Sequence, residues 1–337
     1  MGKNFNSLKS KVAREYRKKY PDNPTLALAR MMYSENKPLF KDVDQARSAL
    51  RYIAGKCGVK RRSSIKGEDA VFLEDKPRPY NPYSFPASEA KDIKPYAVEG
   101  FKKALIISDV HLQFHDIDAL STCFDYAKKQ KPDVVLINGD LLDFYDLSHF
   151  VRDPRKRDFA YELSLFKDFF HIVQKTFNCK IVYKFGNHEL RYERFLMQKA
   201  GELMGVDEFE LSNIIKARAE GIDVVNHNQL IYANDLIILH GHELGRGFFS
   251  PVNAARGLQL RAKVTALQGD CHKTSEHTET DLKGVIKTTW STGCLCGLQA
   301  EYAPYNSWNH GFAILELDGN KKDFQVHNKR IYKGKIL

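Results

Sequence analysis

The chain lacks a long apolar run. Its longest stretch without Asp, Glu, Lys or Arg is 302–315, and that stretch carries Asn, Ser, Pro and His. A bilayer span takes about 20 mostly apolar residues, so no membrane partner is expected. The start, Met1-Gly2-Lys3-Asn4-Phe5-Asn6-Ser7, has no apolar core of the kind a secretory signal needs. Paired cysteine spacing is also missing. Cys57, Cys123, Cys179, Cys271, Cys294 and Cys296 contain no CxxC. That argues against a zinc ribbon and leaves reduced thiols of a cytoplasmic protein as the expectation. Cys294-x-Cys296 reads as small buried strand cysteines in preference to a metal clip. No internal repeat is present.

What is there suits a folded protein of two parts. Of 337 residues, 43% are hydrophobic and 28% charged, enough to bury a core. The length fits two domains, or one large domain with an appendage. The net charge of +10 is uneven. Residues 1–66 hold 17 basic and 5 acidic side chains, whereas 67–337 hold 35 and 37. A basic head therefore sits on a near-neutral body.

Within the head, three helices are predicted over 5–19, 25–34 and 42–54, broken by Pro21-Asp22-Asn23-Pro24 and by Pro38. This is a small all-α domain, 1–66, of possible helix-turn-helix type. Arg14, Arg17, Lys18, Lys19, Arg51, Lys60, Arg61 and Arg62 are its candidate phosphate contacts for nucleic acid. A solvated basic face or a protein-docking module is the alternative. Residues 67–100 carry Pro77, Pro79, Pro82, Pro86 and Pro95 and read as an extended linker. Tyr80, Tyr83, Phe85 and Tyr96 suggest that it packs along the second domain.

From 101 the pattern becomes alternating strand and helix. Strands fit 104–108, 134–138, 180–185, 223–225, 229–232, 236–239 and 264–267. Helices fit 117–130, 158–177, 190–201, 208–220 and 253–263. The close is strand-rich, over 285–289, 311–317 and 324–327. An α/β sandwich is the expected class.

Polar, metal-capable residues recur just after these apolar strands: Asp109-Val110-His111, Gly139-Asp140 with Asp143, Gly186-Asn187-His188-Glu189, His240-Gly241-His242 and Gly269-Asp270-Cys271-His272. Strand carboxyl ends converge on one rim in layered α/β folds. Five such ends pool carboxylate, imidazole and amide donors, a set suited to Mn, Fe, Zn or Ni. One Asp can bridge two ions about 3.5–4 Å apart, the spacing of two-metal hydrolases.

Taken in order, these motifs resemble those of calcineurin-like metallophosphoesterases over about 101–318. Leu142–Pro154 and Gly293–Trp308 are similar to stretches of bacterial and phage members of unassigned substrate. The resemblance implies a metallophosphoesterase-type β-sandwich flanked by helices over 101–337. It implies that Asp109, His111, Asp140 and His272 hold one ion. Asp140 then bridges to a second ion held by Asn187, His240 and the residue at 270. His188 becomes the general acid or phosphate-polarising group, oriented by Glu189, and a metal-bridging hydroxide attacks phosphorus in line.

One departure stands out: the family pattern Gly-His-x-His is here Gly269-Asp270-Cys271-His272. Asp270 is expected to remain a ligand and to shift the second site toward harder ions such as Mn or Mg. Two divalent ions are the expected cofactors, Mn foremost, with Fe, Zn or Ni as the others. His242 is an alternative ligand or a phosphate contact. Asp143 is read as orienting His111 from behind the metal. His149, Arg152, Arg191 and Arg194 are phosphate contacts or solvated helix surface. Tyr302, Tyr305, Trp308 and His310 wall the cleft or pack in the core.

The expected function is hydrolysis of phosphoester bonds, with nucleic acid or nucleotides as substrate and phosphodiesters favoured over monoesters. The alternatives are a small-molecule or protein phosphatase that uses 1–66 only for location, and a non-catalytic DNA-binding or scaffold protein with a degenerate second metal site.

Overall fold

The computed structural model describes residues 7–73, 81, 83–148, 153, 155, 158–217, 219–245, 252–301, 303–318 and 323–337. Pro77, Pro79, Tyr80 and Pro82 lie outside the described residues. The chain divides into two compact units, Met1–Ala90 and Lys91–Leu337.

The first unit is helical: α1 (Leu8–Lys19), α2 (Thr25–Glu35), α3 (Val43–Ile53) and the short α4 (Val59–Ser63). Ser7 caps α1 through Ser10 N, and Asp42 caps α3 through Gln45 N at 2.7 Å, each side-chain oxygen taking an otherwise orphaned N–H. Ala13, Leu28, Ala29, Met32, Phe40, Ala46, Leu50 and Ile53 form its core. Phe72, from a 3-10 turn at Gly67–Phe72, packs on that core, so the start of the Pro-rich stretch belongs to the helical unit. The end of that stretch joins the second unit as β1 (Tyr96–Ala97), paired with Ile231 and Tyr232.

The second unit continues with β2 (Lys103–Ile107), α5 (Ile117–Gln130), β3 (Val134–Asn138), α6 (Phe159–Phe177), β4 (Lys180–Lys184) and α7 (Leu190–Lys199). After these come α8 (Leu211–Ile214), β5 (Ile222–Val225), β6 (Ile231–Ala233), β7 (Leu236–Ile238) and α9 (Ala254–Ala262). It closes with β8 (Ala266–Gln268), β9 (Ser275–Thr280), β10 (Ile286–Ser291), β11 (His310–Leu317), β12 (Phe324–Tyr332) and β13 (Lys335–Ile336).

Among the described residues these strands make two sheets, ordered β1-β6-β7-β8-β10-β9 and β13-β12-β11-β2-β3-β4-β5. The period of two along a strand explains the layering. Leu105, Ile107, Val135 and Ile137 face α5 and α6, whose Cys123, Phe166, Phe170 and Val173 complete one core. Their neighbours Ala104, Ile106, Val134 and Leu136 face the other sheet and meet Ile231, Ile238, Leu267 and Trp290. On the far side of that sheet, Leu258 of α9 packs with Ala266 and Leu239. The result is a β-sandwich covered by helices.

Two expectations change. The helix predicted over 208–220 is only α8, preceded by a 3-10 turn at Asp207–Phe209. Lys216 has φ of +54°, a left-handed conformation that closes the turn. Strand β9 is not predicted because Ser275–Thr280 is a polar edge strand with no apolar alternation, held by its antiparallel ladder to β10 and by hydrogen bonds to α9.

Candidate metal centre

Strands β2, β3 and β4 run parallel in one sheet, and β7, β8 and β10 run parallel in the other. The carboxyl ends of the first five deliver the five motifs. The backbone there is unusual. Asp109, His111, Asp140, Asp270 and His272 have φ of +56°, +47°, +51°, +58° and +54°. Non-glycine residues adopt this region at a cost and cluster in it at functional sites. Gly186 shows how closely the loops meet: a Cβ there would sit 2.2 Å from Asp140 Oδ1 and 2.7 Å from its backbone N.

These loops bring the predicted donors together. Asp109 Oδ1 lies 3.0 Å from His272 Nε2. Asp140 Oδ2 lies 3.2 Å from His240 Nε2 and 3.8 Å from His188 Nε2. Asp140 Oδ1 accepts from His188 N at 2.9 Å. Donor atoms of Asp109, Asp140 and His240 fall within 4.8 Å of one another, as do those of His111, Asp140 and His188. Asp270 stands at the edge, with Oδ1 3.7 Å from His240 Nε2 and its side chain 35% exposed.

Asp143 is the pivot beneath them. Its Oδ1 is 2.8 Å from His111 Nδ1 and 3.0 Å from His188 Nδ1, and its Oδ2 is 3.3 Å from Arg191 Nη1. Arg191 also reaches His188 Nε2, through Nη2 at 3.0 Å. The ring of His188 is thus oriented by Asp143 and Arg191, which corrects the expectation that Glu189 orients it. Glu189 instead accepts from the backbone N–H groups of Gly186, Asp140 and Leu142, at 2.7, 3.0 and 3.0 Å, and from Tyr183 Oη at 2.6 Å. It ties two motif loops together from the buried side.

The electrostatics follow from packing carboxylates and imidazoles out of water. Burial alone lowers the pKa of His240, His272 and His188, but nearby carboxylates outweigh it and raise all three: Asp140 for His240, Asp109 for His272, Asp140 and Asp143 for His188. Burial raises Asp140 and Asp143, and the imidazoles outweigh it and hold both below the usual range. Carboxylates and imidazoles here stabilise one another's charged forms. His111 Nε2 and Asn187 Oδ1 are buried with no hydrogen-bond partner among the described residues, a state that a bound cation relieves. Carboxylate and imidazole donors so placed could hold a divalent ion.

His242 is near the rim, its ring 5.4 Å from that of His240 and its Nδ1 3.6 Å from Glu243 Oε2, and neither nitrogen has a hydrogen-bond partner among the described residues. Burial lowers its pKa to about 4, so it stays neutral near pH 7. Trp308 stands edge-on to His272 at 4.2 Å, Tyr305 is exposed, and His310 donates to Cys296 O at 2.9 Å. His149, Arg152 and Tyr302 lie outside the described residues.

Among the basic candidates of the helical unit, Lys18, Lys19, Arg51 and Lys60 are exposed. Arg17 is engaged in structure, donating to Asn23 O at 2.8 Å and Thr25 Oγ1 at 3.2 Å. Arg61 covers the Tyr52 ring at 4.1 Å and donates to Ser64 Oγ at 3.0 Å. Arg14 and Arg62 are half-buried.

Three supports had no sequence signal. Ser108 Oγ donates to Asp109 Oδ2 at 2.5 Å. Glu162 of α6 accepts from Asp143 N at 2.6 Å and Phe144 N at 2.9 Å. Lys184, fully buried, lies 3.0 Å from Glu243 Oε1, and Glu243 accepts from the backbone of His240 and Gly241 at 3.0 and 2.7 Å. Cys294 and Cys296 are buried, as expected, but they follow β10 and do not lie within a strand.

The calcineurin-like phosphoesterase family matches residues 102–284. The gene 54 proteins of Mycobacterium phages L5 and D29 are 27% and 25% identical, each match covering 65% of this chain and 90% of the relative. Among solved structures, Vps29 of Entamoeba histolytica with zinc (13% identical, TM-score 0.36) covers 70% of this chain and 96% of its own. A dimetal phosphatase of Danio rerio (12% identical, TM-score 0.37) covers 68% and 96%. Among the described residues, no helix is long and apolar enough to cross a membrane.

Proposed function

Because this chain belongs to the calcineurin-like phosphoesterase family, we propose that it hydrolyses phosphodiester bonds at a two-metal centre, with nucleic acid as substrate. The observation that carries the reading is the set of buried donor atoms facing one another at five strand ends, with His111 Nε2 and Asn187 Oδ1 lacking a hydrogen-bond partner among the described residues. Asp109, His111, Asp140 and His272 would hold one ion, and Asp140, Asn187, His240 and Asp270 the other. Bound there, the two cations would acidify a shared water and polarise the phosphoryl group.

The chain's own residues do the rest. Asp140, between His240 and His188, links the two halves of the site. Asp143 holds His111 with its Nε2 turned away from Asp143, and holds His188 by Nδ1. His188, oriented by Asp143 at its Nδ1, would give a proton to the departing alkoxide. Arg191 is engaged at both ends of its fork, by Asp143 through Nη1 and by His188 through Nη2, and so positions the His188 ring.

Nucleic acid is favoured because the basic excess of the chain lies in residues 1–66, with Lys18, Lys19, Arg51 and Lys60 exposed. Such a module raises the local concentration of a polyanion at a tethered site. The test is a panel of single- and double-stranded DNA, RNA, nucleotides and p-nitrophenyl esters, run with Mn, Zn and Ni. Turnover of a nucleic acid should fall when Lys18, Lys19, Arg51 and Lys60 are changed to Glu, with p-nitrophenyl turnover retained. A nucleic-acid rate indifferent to these changes sinks the assignment of the head.

A further inference from the structure

Resting on the two-metal reading above, we propose that Cys296 Sγ is an additional ligand of the ion held by Asp109, His111, Asp140 and His272. Strand β10 is parallel to β8, so its carboxyl end opens on the same rim as the motif loops. The chain beyond it is pinned there. Leu295 N donates to Asp109 O at 3.0 Å, Asp116 N to Leu295 O at 2.9 Å, and Gly297 N to Phe114 O at 2.7 Å. Cys296 is thereby stitched on both sides to the loop that carries Asp109 and His111.

Its side chain lies among metal donors. One ligating atom from each of Cys296, His111 and His272 falls within 4.8 Å of the others, and all three residues are buried. Donors on one ion with bonds of about 2.0–2.3 Å stand roughly 3–4 Å apart, so closure by about an ångström suffices. His111 supplies the second observation. Its Nδ1 is committed to Asp143, and its Nε2 is buried with no hydrogen-bond partner among the described residues. Cys294 is the neighbouring thiol: its Sγ faces the carbonyl oxygens of Asn309 and Cys296 at 3.7 and 4.0 Å and its side chain also meets the Cys296 thiol, but its sulfur falls in no cluster of metal donors among the described residues.

Coordination forms an Sγ–metal bond and breaks the Sγ–H bond, with the proton released to solvent. The consequence is an asymmetric pair. A thiolate makes the first site soft, suited to Zn, Co or Fe(II), while Asp270 makes the second hard, suited to Mn or Mg.

The test is cobalt loading of the full-length protein. Wild type and Cys294→Ser should show a sulfur-to-cobalt charge-transfer band in the near ultraviolet, and Cys296→Ser should lose it while keeping the weaker visible bands of bound cobalt. X-ray absorption at the zinc edge of the wild-type protein needs no variant, and should show a sulfur shell at about 2.3 Å. Bound cobalt with no sulfur band, a band that survives Cys296→Ser, or a zinc shell of nitrogen and oxygen alone overturns the ligand and leaves the two-metal reading standing. Failure to bind either metal overturns both.

Discussion

Asp143 Oδ1 lies 3.0 Å from Nδ1 of His188. The same oxygen is 2.8 Å from Nδ1 of His111, so one carboxylate sets the ring of a metal donor and the ring of the proton donor together. Asp143→Ala should lower both metal affinity and turnover by about 10–100-fold, the usual cost of removing a ligand's supporting partner. The check is metal titration beside kcat. A loss of turnover with unchanged metal affinity contradicts the shared role.

His188 should matter most where the leaving group is poor. Burial lowers its pKa, but Asp140 and Asp143 outweigh burial and raise it above 6.5. The rate on an alkyl ester should fall as pH rises and the ring loses its proton. His188→Asn should abolish that limb and cost about 10²–10⁴-fold on an alkyl phosphate ester. The loss on a p-nitrophenyl ester, whose leaving group needs no proton, should be smaller. Equal losses on the two esters refute the acid role.

Lys184 and Glu243 form a buried ion pair behind His240. Lys184→Met leaves the Glu243 charge buried without its partner. Urea denaturation should show a loss of about 3–5 kcal/mol. The Lys184→Met, Glu243→Gln double variant should recover part of it. A single variant as stable as wild type shows that the pair is not needed.

Glu162 gives the metal-free protein a pH signature. Burial, reinforced by Asp143, raises its carboxyl from 4.5 to about 8. An acid with a raised folded pKa contributes fully below its unfolded value, and that contribution is lost as pH rises through the folded one. Thermal stability of the metal-free protein should therefore fall between about pH 4.5 and pH 8, and Glu162→Gln should flatten that fall. Parallel curves for wild type and variant contradict it.

The parts of the fold and site legible in the sequence were those written in local pattern. Strands β2, β3 and β4 are apolar because both faces are buried, one on α5 and α6 and one on the second sheet. Each donor at their ends stands beside a glycine or in a short motif, so order along the chain foretold convergence. The supports are different. Glu162 lies on an otherwise ordinary amphipathic helix, and Lys184 is an ordinary lysine at the end of an apolar strand. Nothing local marks either as buried; their partners are 18–19 and 59 positions away in the chain. Glu189 was expected to orient His188, its sequence neighbour. The loop turns it inward to backbone N–H groups, and the more distant Asp143 takes that place.

The central claim is that the donors at the strand ends form a two-metal phosphoesterase site bridged by Asp140. Its most direct test is hydrolysis of bis-p-nitrophenyl phosphate by the purified protein during titration with Mn or Zn, with bound metal counted per chain, for wild type and Asp140→Asn. The account predicts turnover that rises until two ions are bound and is lost in Asp140→Asn together with stable binding of the pair. Equal turnover in wild type and Asp140→Asn, or full turnover after the metals are stripped by a chelator, contradicts it.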